Sequence, residues 1–171
     1  MTYSMVIRGP LGVGKSTVAA ALARMIGAYH IPIDKVLEEH ELEEWDDDRI
    51  SLRSFLRANA IAVEQAHRAL EAGQPVIFEG CFYWREQLDD LAKRLDRDLL
   101  VFTLEAPLPV CVGRDRTRPL PRSGEEPRGG HQLGEQAVKD VVAHPFRFGH
   151  LRSVDLPHPP SPQRGVWGEE P

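Results

Sequence analysis

An α/β fold built on a parallel sheet is predicted for this chain, and three observations carry the prediction. Short apolar segments alternate with stretches of helical periodicity, the pattern of a parallel sheet with crossover helices. The first apolar segment runs directly into Gly9-Pro10-Leu11-Gly12-Val13-Gly14-Lys15-Ser16, which matches the phosphate-binding loop pattern G-x-x-x-x-G-K-[ST] at every fixed position. A length of 171 residues suits one domain with its own buried core. The expected result is a three-layer α/β domain.

Each element has its own signal. Tyr3–Arg8 reads as the strand entering the loop, and Thr17–Met25 as the helix leaving it, stopped by Gly27. A short second strand, Tyr29–Ile33, ends at Asp34, and a helix is expected over Lys35–Glu44. The clearest helix spans about Ser51–Ala72. There Leu52, Phe55, Leu56, Asn59, Val63, Ala66 and Leu70 recur at offsets of three and four, giving one buried stripe. Gly73-Gln74-Pro75 ends that helix and opens a third strand, Val76–Glu79. A helix over Arg85–Leu95 buries Leu88, Leu91 and Leu95, a fourth strand covers Leu99–Leu104, and a helix follows over about Leu108–Thr117. The polar, Pro/Gly-rich stretch Arg118–Gly130 suits either a mobile lid (about 114–135) or an ordinary disordered connection. Beyond it are a helix over Leu133–Ala143 and a weak fifth strand over His150–Asp155. The domain is therefore expected over residues 1–155, with a Pro-rich disordered tail over 156–171.

Composition excludes several classes. With 42% hydrophobic and 27% charged residues the chain is ordinary for a soluble protein. A net charge of −5 gives no global attraction to nucleic acid or anionic membrane. No apolar run approaches a membrane span and no signal segment opens the chain, so a cytoplasmic location is expected. Cys81 and Cys111 fit no metal-ligand spacing and are expected as free thiols. The guanine-reading N-K-x-D element and D-x-x-G switch of GTPases are missing, and large ATPase machines need a longer chain.

The loop supplies most of the chemistry. Its glycines permit backbone angles that bring successive N–H groups around a triphosphate, and the N-terminus of the following helix adds partial positive charge. Gly9, Pro10, Leu11, Gly12, Val13, Gly14, Lys15, Ser16 and Thr17 are thus the expected nucleotide contacts. Lys15 suits the β- and γ-phosphates, and the Ser16 hydroxyl suits Mg²⁺. Asp34, at a strand end facing the ligand crevice, suits a general base for an attacking hydroxyl, with an N-cap for the helix Lys35–Glu44 as the alternative. Glu79, at the end of Val76-Ile77-Phe78, suits Mg²⁺ through water or the orientation of substrate. Tyr83 and Trp84 follow Phe82 directly; these aromatics either wall an acceptor pocket or anchor a loop to the core.

Arg114 and Arg118 stand one helical turn apart and suit neutralisation of a transferring phosphoryl group, although surface arginines are common. The acidic run Glu38–Asp48 reads as a solvated face that repels a polyanion. Arg49, Arg53 and Arg57 form a basic stripe that either pairs with those acids or grips an anionic acceptor. Asn59, inside an apolar stripe, is either a core hydrogen-bond hub or a ligand contact.

Together the loop, Asp34, the VIFEG strand and the segment LEAPLPVCVGRDRTR resemble the small P-loop kinase group, which includes nucleotide, shikimate and gluconate kinases and zeta-toxin-like or chloramphenicol phosphotransferase-like enzymes. IPIDKVLEEHELEEW, FLRANAIAVEQA and FEGCFYWREQLDDL are similar to an uncharacterised predicted-kinase branch of AAA type. The resemblance covers about residues 1–155. It implies the three-layer P-loop NTPase fold, a five-stranded parallel sheet in the order 2-3-1-4-5, a helical lid, Asp34 as the acceptor-side base and Arg114 and Arg118 as lid arginines. The chain departs from the group at its C-terminus, where Arg152 and Ser153 dilute the fifth strand and a Pro-rich tail replaces a closing helix. That departure leaves room for a partner or second copy to cover the sheet. Two functional readings follow: an ATP- and Mg²⁺-dependent kinase acting on a hydroxyl of a small molecule, or a nucleotide-binding regulatory module with little turnover.

Overall fold

The computed structural model of the chain describes residues 2–46 and 49–116. Along the chain lie β1 (Ser4–Arg8), α1 (Lys15–Ile26), β2 (Tyr29–Pro32), α2 (Ile33–Glu39), β3 (Trp45–Asp46) and β4 (Arg49–Ile50), then α3 (Leu52–Glu71), β5 (Val76–Gly80), α4 (Arg85–Leu95), β6 (Leu99–Thr103) and α5 (Leu108–Arg116). The main sheet has the order β2-β5-β1-β6 and every pairing in it is parallel. This is the expected α/β arrangement: counted among main-sheet strands, the order is second, third, first, fourth. The expected fifth strand, most of the lid and the tail lie outside the described residues.

Alternation along the strands sorts the core onto two faces. Val6, Ile31 and Phe78 face α2, α3 and α4, and join Phe55, Phe82, Leu88 and Leu91 in the larger cluster. Met5, Ile7 and Ile77 face α1 with Ala19 and Ala23. Small alanines on the inner face of α1 let that helix lie close to the sheet. All of β1 and β5 is buried, as expected for central strands of a sheet covered on both faces. β6 pairs only with β1 among the described residues, and Phe102 on it is 50% exposed.

Two local expectations need correction. The helix after β2 begins at Ile33 and ends at Glu39 instead of covering Lys35–Glu44, so Asp34 sits in its first turn and is not its N-cap. The N-cap is Pro32, in extended conformation and without a side-chain cap. Ile33 has no exposure and anchors the new helix in the core. The helix stops early because carboxylates crowd successive turns with few cations between them. Glu41 takes a left-handed backbone, and the chain turns into the antiparallel hairpin β3–β4.

The long helix follows its sequence pattern closely. Ser51 is the N-cap, its hydroxyl accepting a hydrogen bond from the Ser54 N–H at 3.2 Å. The Ser54 hydroxyl in turn accepts from the Glu44 N–H at 3.1 Å, tying the acidic segment to the start of α3. Ser51→Ala is expected to lower stability by about 1 kcal/mol, read as a reduced urea midpoint at unchanged slope.

Candidate active site

Two glycines shape the phosphate-binding loop for different reasons. Gly12 has φ 74°, and a Cβ there would lie 2.1 Å from the Cys111 carbonyl oxygen, so the loop and α5 can only approach with glycine at this position. Gly14 has φ 102° and caps α1 without a side chain; a Cβ there would meet nothing within 4 Å. Space therefore lies open at the N-terminus of α1. No side chain caps that end and no acidic residue occupies its first turn, which leaves backbone N–H groups and partial positive charge for an anion. Gly9 and Pro10 are buried at the loop's start, and Val13 packs against Cys111, Leu104, Ala106 and Leu108. Leu11 is partly buried, whereas Ser16 and Thr17 are exposed in the first turn of α1.

Lys15 is 6% exposed. Its ammonium donates to the Pro10 carbonyl at 3.1 Å and to the Cys81 sulfur at 3.6 Å. Both acceptors are neutral groups. Burial holds the Cys81 thiol well above its usual range; Lys15 and a hydrogen bond from Tyr83 oppose that shift, and Asp34 adds to it. Asp34, Lys15, Tyr83 and Cys81 thus share one electrostatic neighbourhood.

Ser16 and Glu79, assigned to the same ion from sequence, are indeed together. The Ser16 hydroxyl donates to Glu79 Oε1 at 3.2 Å, and Glu79 is 3% exposed. On its other side, His30 Nε2 lies 3.9 Å from Glu79 Oε2, too long for a hydrogen bond. Burial pushes the His30 pKa down, so the ring is neutral at pH 7. Beyond β5 the chain turns sharply: Phe82 has no exposure and a left-handed backbone at φ 46°. A bulky residue in that region stores strain of about 1–3 kcal/mol, and it is held there by the core around its ring.

The remaining residues divide. Of the two alternatives for Asn59, the structure favours the core hub and corrects the substrate contact: the side chain has no exposure and donates to the Gln87 carbonyl at 2.8 Å and to Asp90 at 3.1 Å. It is the hub joining α3 to α4. Arg57 binds Glu44 at 2.8 Å on the surface, the acid-pairing alternative, and Arg53 is exposed one turn before it. Tyr83 and Trp84 are partly buried and pack on Phe55 with centroids 6.3 and 5.6 Å away, so they anchor the loop while each keeps some surface. Arg114 donates to the Val13 carbonyl at 3.3 Å and so braces the phosphate loop from α5. Arg118 lies outside the described residues. Sequence reasoning missed Cys81 and His30; the signal available for Cys81 was its place just past a strand end that carries Glu79.

Two measurements follow. Asn59→Ala is expected to cost about 1–3 kcal/mol of stability by removing the buried hydrogen bonds that join α3 to the Gln87 carbonyl and the Asp90 carboxylate of α4, with ligand affinity at the loop unchanged. This is read by chemical denaturation beside a nucleotide titration. For His30 the folded pKa lies below the unfolded value of 6.5. As pH falls through 6.5 the unfolded chain binds a proton that the folded chain refuses. Its contribution to stability is therefore full above that pH and is lost as pH falls toward and through the folded pKa. His30→Asn is expected to flatten this part of a melting-temperature against pH curve.

Comparison with known proteins agrees with this geometry. None of the curated proteins matches the chain. Among solved structures, a gluconokinase from Sinorhizobium meliloti 1021 is similar at 22% identity and TM-score 0.53, over 80% of this chain and 74% of that one. A sugar kinase from Janibacter sp. HTCC2649 is similar at 19% identity and TM-score 0.59, over 84% and 94%. A chain of the Pnkp1/Rnl/Hen1 RNA repair complex is similar at 16% identity and TM-score 0.59, over 83% of this chain but only 45% of that one. At such identities the likeness is one of fold. The AAA domain family matches residues 5–140, which include the loop, Asp34, Glu79 and Arg114. With its buried loop lysine and its serine–carboxylate pair at the sheet's C-terminal edge, the chain belongs to that AAA domain family.

Proposed function

We propose that this protein is an ATP-dependent phosphotransferase that moves the γ-phosphoryl group to a hydroxyl of a small molecule. The observation that carries the reading is the convergence of Lys15, the Ser16–Glu79 pair and Asp34 at one end of the parallel sheet. The residues fit the nucleotide: Gly14 borders open space, the α1 N-terminus has no side-chain cap, and the buried ammonium's hydrogen-bond acceptors among the described residues are neutral. Ser16 and Glu79 fit Mg²⁺, the hydroxyl directly and the carboxylate through water; the ion when bound supplies charge neutralisation on the triphosphate.

The chain's own residues divide the remaining work. The loop N–H groups and Lys15 hold the phosphate oxygens and offset the charge that builds on them. Asp34, exposed in the first turn of α2, takes the proton from the acceptor hydroxyl as its oxygen bonds to phosphorus. Tyr83 and Trp84 present an apolar wall to the acceptor. Arg114 braces the loop, and Arg118 beyond it is the candidate for charge that develops during transfer.

Charge narrows the acceptor. Glu38, Glu39, Glu41, Glu43 and Glu44 are all exposed just after Asp34, which disfavours a polyanion such as an RNA end. The Arg57–Glu44 pair removes one cation that an anionic acceptor needs. A neutral or cationic hydroxyl compound, of nucleoside, sugar or amino-sugar type, suits this surface best.

ADP release from Mg²⁺-ATP, measured across pools of hydroxyl-bearing metabolites, tests the proposal. One pool is expected to raise turnover well above the background. In that pool, Asp34→Asn is expected to cut turnover about 100- to 10,000-fold while nucleotide affinity persists. Unchanged turnover in the variant removes Asp34 from the role of base, and no stimulation by any pool favours a binding module.

A further inference from the structure

Cys81 lies between the strand that carries Glu79 and the aromatic wall, and nothing in the proposed phosphoryl transfer uses it. It is 3% exposed, yet its sulfur accepts a hydrogen bond from the Lys15 ammonium at 3.6 Å, and the Tyr83 phenol also interacts with it. The strained left-handed backbone of Phe82 immediately follows. That turn is pinned by the fully buried Phe82 ring, next to the sulfur that Lys15 of the phosphate-binding loop reaches.

From this arrangement we infer that Cys81 is a positioning residue, holding the Lys15 ammonium in place for the terminal phosphates without cancelling its charge. This inference rests on the nucleotide-binding reading above. The chemistry of the two acceptors supports it. Lys15 carries three N–H donors; the Pro10 carbonyl and the Cys81 sulfur accept two of them. A carboxylate in place of the thiol would hold the ammonium at least as firmly. It would also neutralise it, and the phosphates would then compete with an internal ion pair. A small apolar side chain would leave the charge intact and release the four-carbon stem to other rotamers. A neutral sulfur does neither: it fixes direction and leaves the charge for the ligand.

The test is direct titration of Mg²⁺-ATP into the wild-type chain and its variants. Cys81→Ala is expected to weaken binding about 3- to 10-fold, the scale of one ordinary intramolecular hydrogen bond. Cys81→Ser, whose hydroxyl accepts the same bond, is expected to recover affinity to within about twofold of wild type. Should the alanine variant fail to fold, Cys81→Val and Cys81→Thr fill nearly the same volume and differ only in the hydroxyl, and threonine is expected to bind more tightly. A packing role alone does not order these variants by their ability to accept a hydrogen bond. Equal affinity of alanine and wild type, or serine falling as far as alanine, overturns the inference while leaving the kinase reading intact. A wild-type chain that binds no triphosphate overturns both.

Discussion

An ammonium group is buried at the end of this sheet with a carbonyl and a sulfur for company, and much of the surrounding structure serves that arrangement. Taking a cation out of water is costly unless hydrogen bonds and nearby opposite charge compensate. Lys15 donates hydrogen bonds to the Pro10 carbonyl and the Cys81 sulfur. The remaining electrostatic demand is met best by a polyanion arriving at the open side of Gly14. Affinity for phosphate and the cost of burying this ammonium are thus two descriptions of one feature.

The supporting shell is apolar and rigid. The two clusters on opposite faces of the sheet hold β1 and β5 with no exposed residue in either strand. Glu79 and the loop therefore leave adjacent, parallel strands in fixed register, Ile7 beside Glu79 and Arg8 beside Gly80. That register is what brings the Ser16 hydroxyl and the Glu79 carboxylate within hydrogen-bonding distance across 63 residues of sequence. The Asn59 amide performs a similar task farther out, fixing α4 against α3 so that the loop bearing Tyr83 and Trp84 has a firm floor.

Periodic and motif-bearing parts of the site were legible in the residues alone. The loop pattern located Lys15 and Ser16, the apolar stripe located α3 with its Ser51 cap, and strand-end logic located Glu79. What escaped was decided by tertiary contact or by charge crowding. The α2 boundary shifted because Ile33 is drawn into the core and the carboxylates after Glu39 do not sustain a helix. The role of Asn59 turned on a carbonyl 28 residues away. Cys81 had no motif to announce it, since its environment depends on the left-handed turn at Phe82, a conformation that no phenylalanine signals in advance.

The contact between Gly12 and the Cys111 carbonyl bears on how portable this loop is. The eight-residue pattern looks self-contained in sequence, yet its second glycine is shaped to the backbone of a helix that begins almost a hundred residues later. Val13 extends the same seam through its side chain, packed on Cys111, and through its carbonyl, bound by Arg114. Loop and helix therefore form one mechanical part with two addresses in the chain. Engineering that transplants the loop into another scaffold has to carry the matching turn of α5 with it, or the grafted segment loses the surface against which its shape is defined.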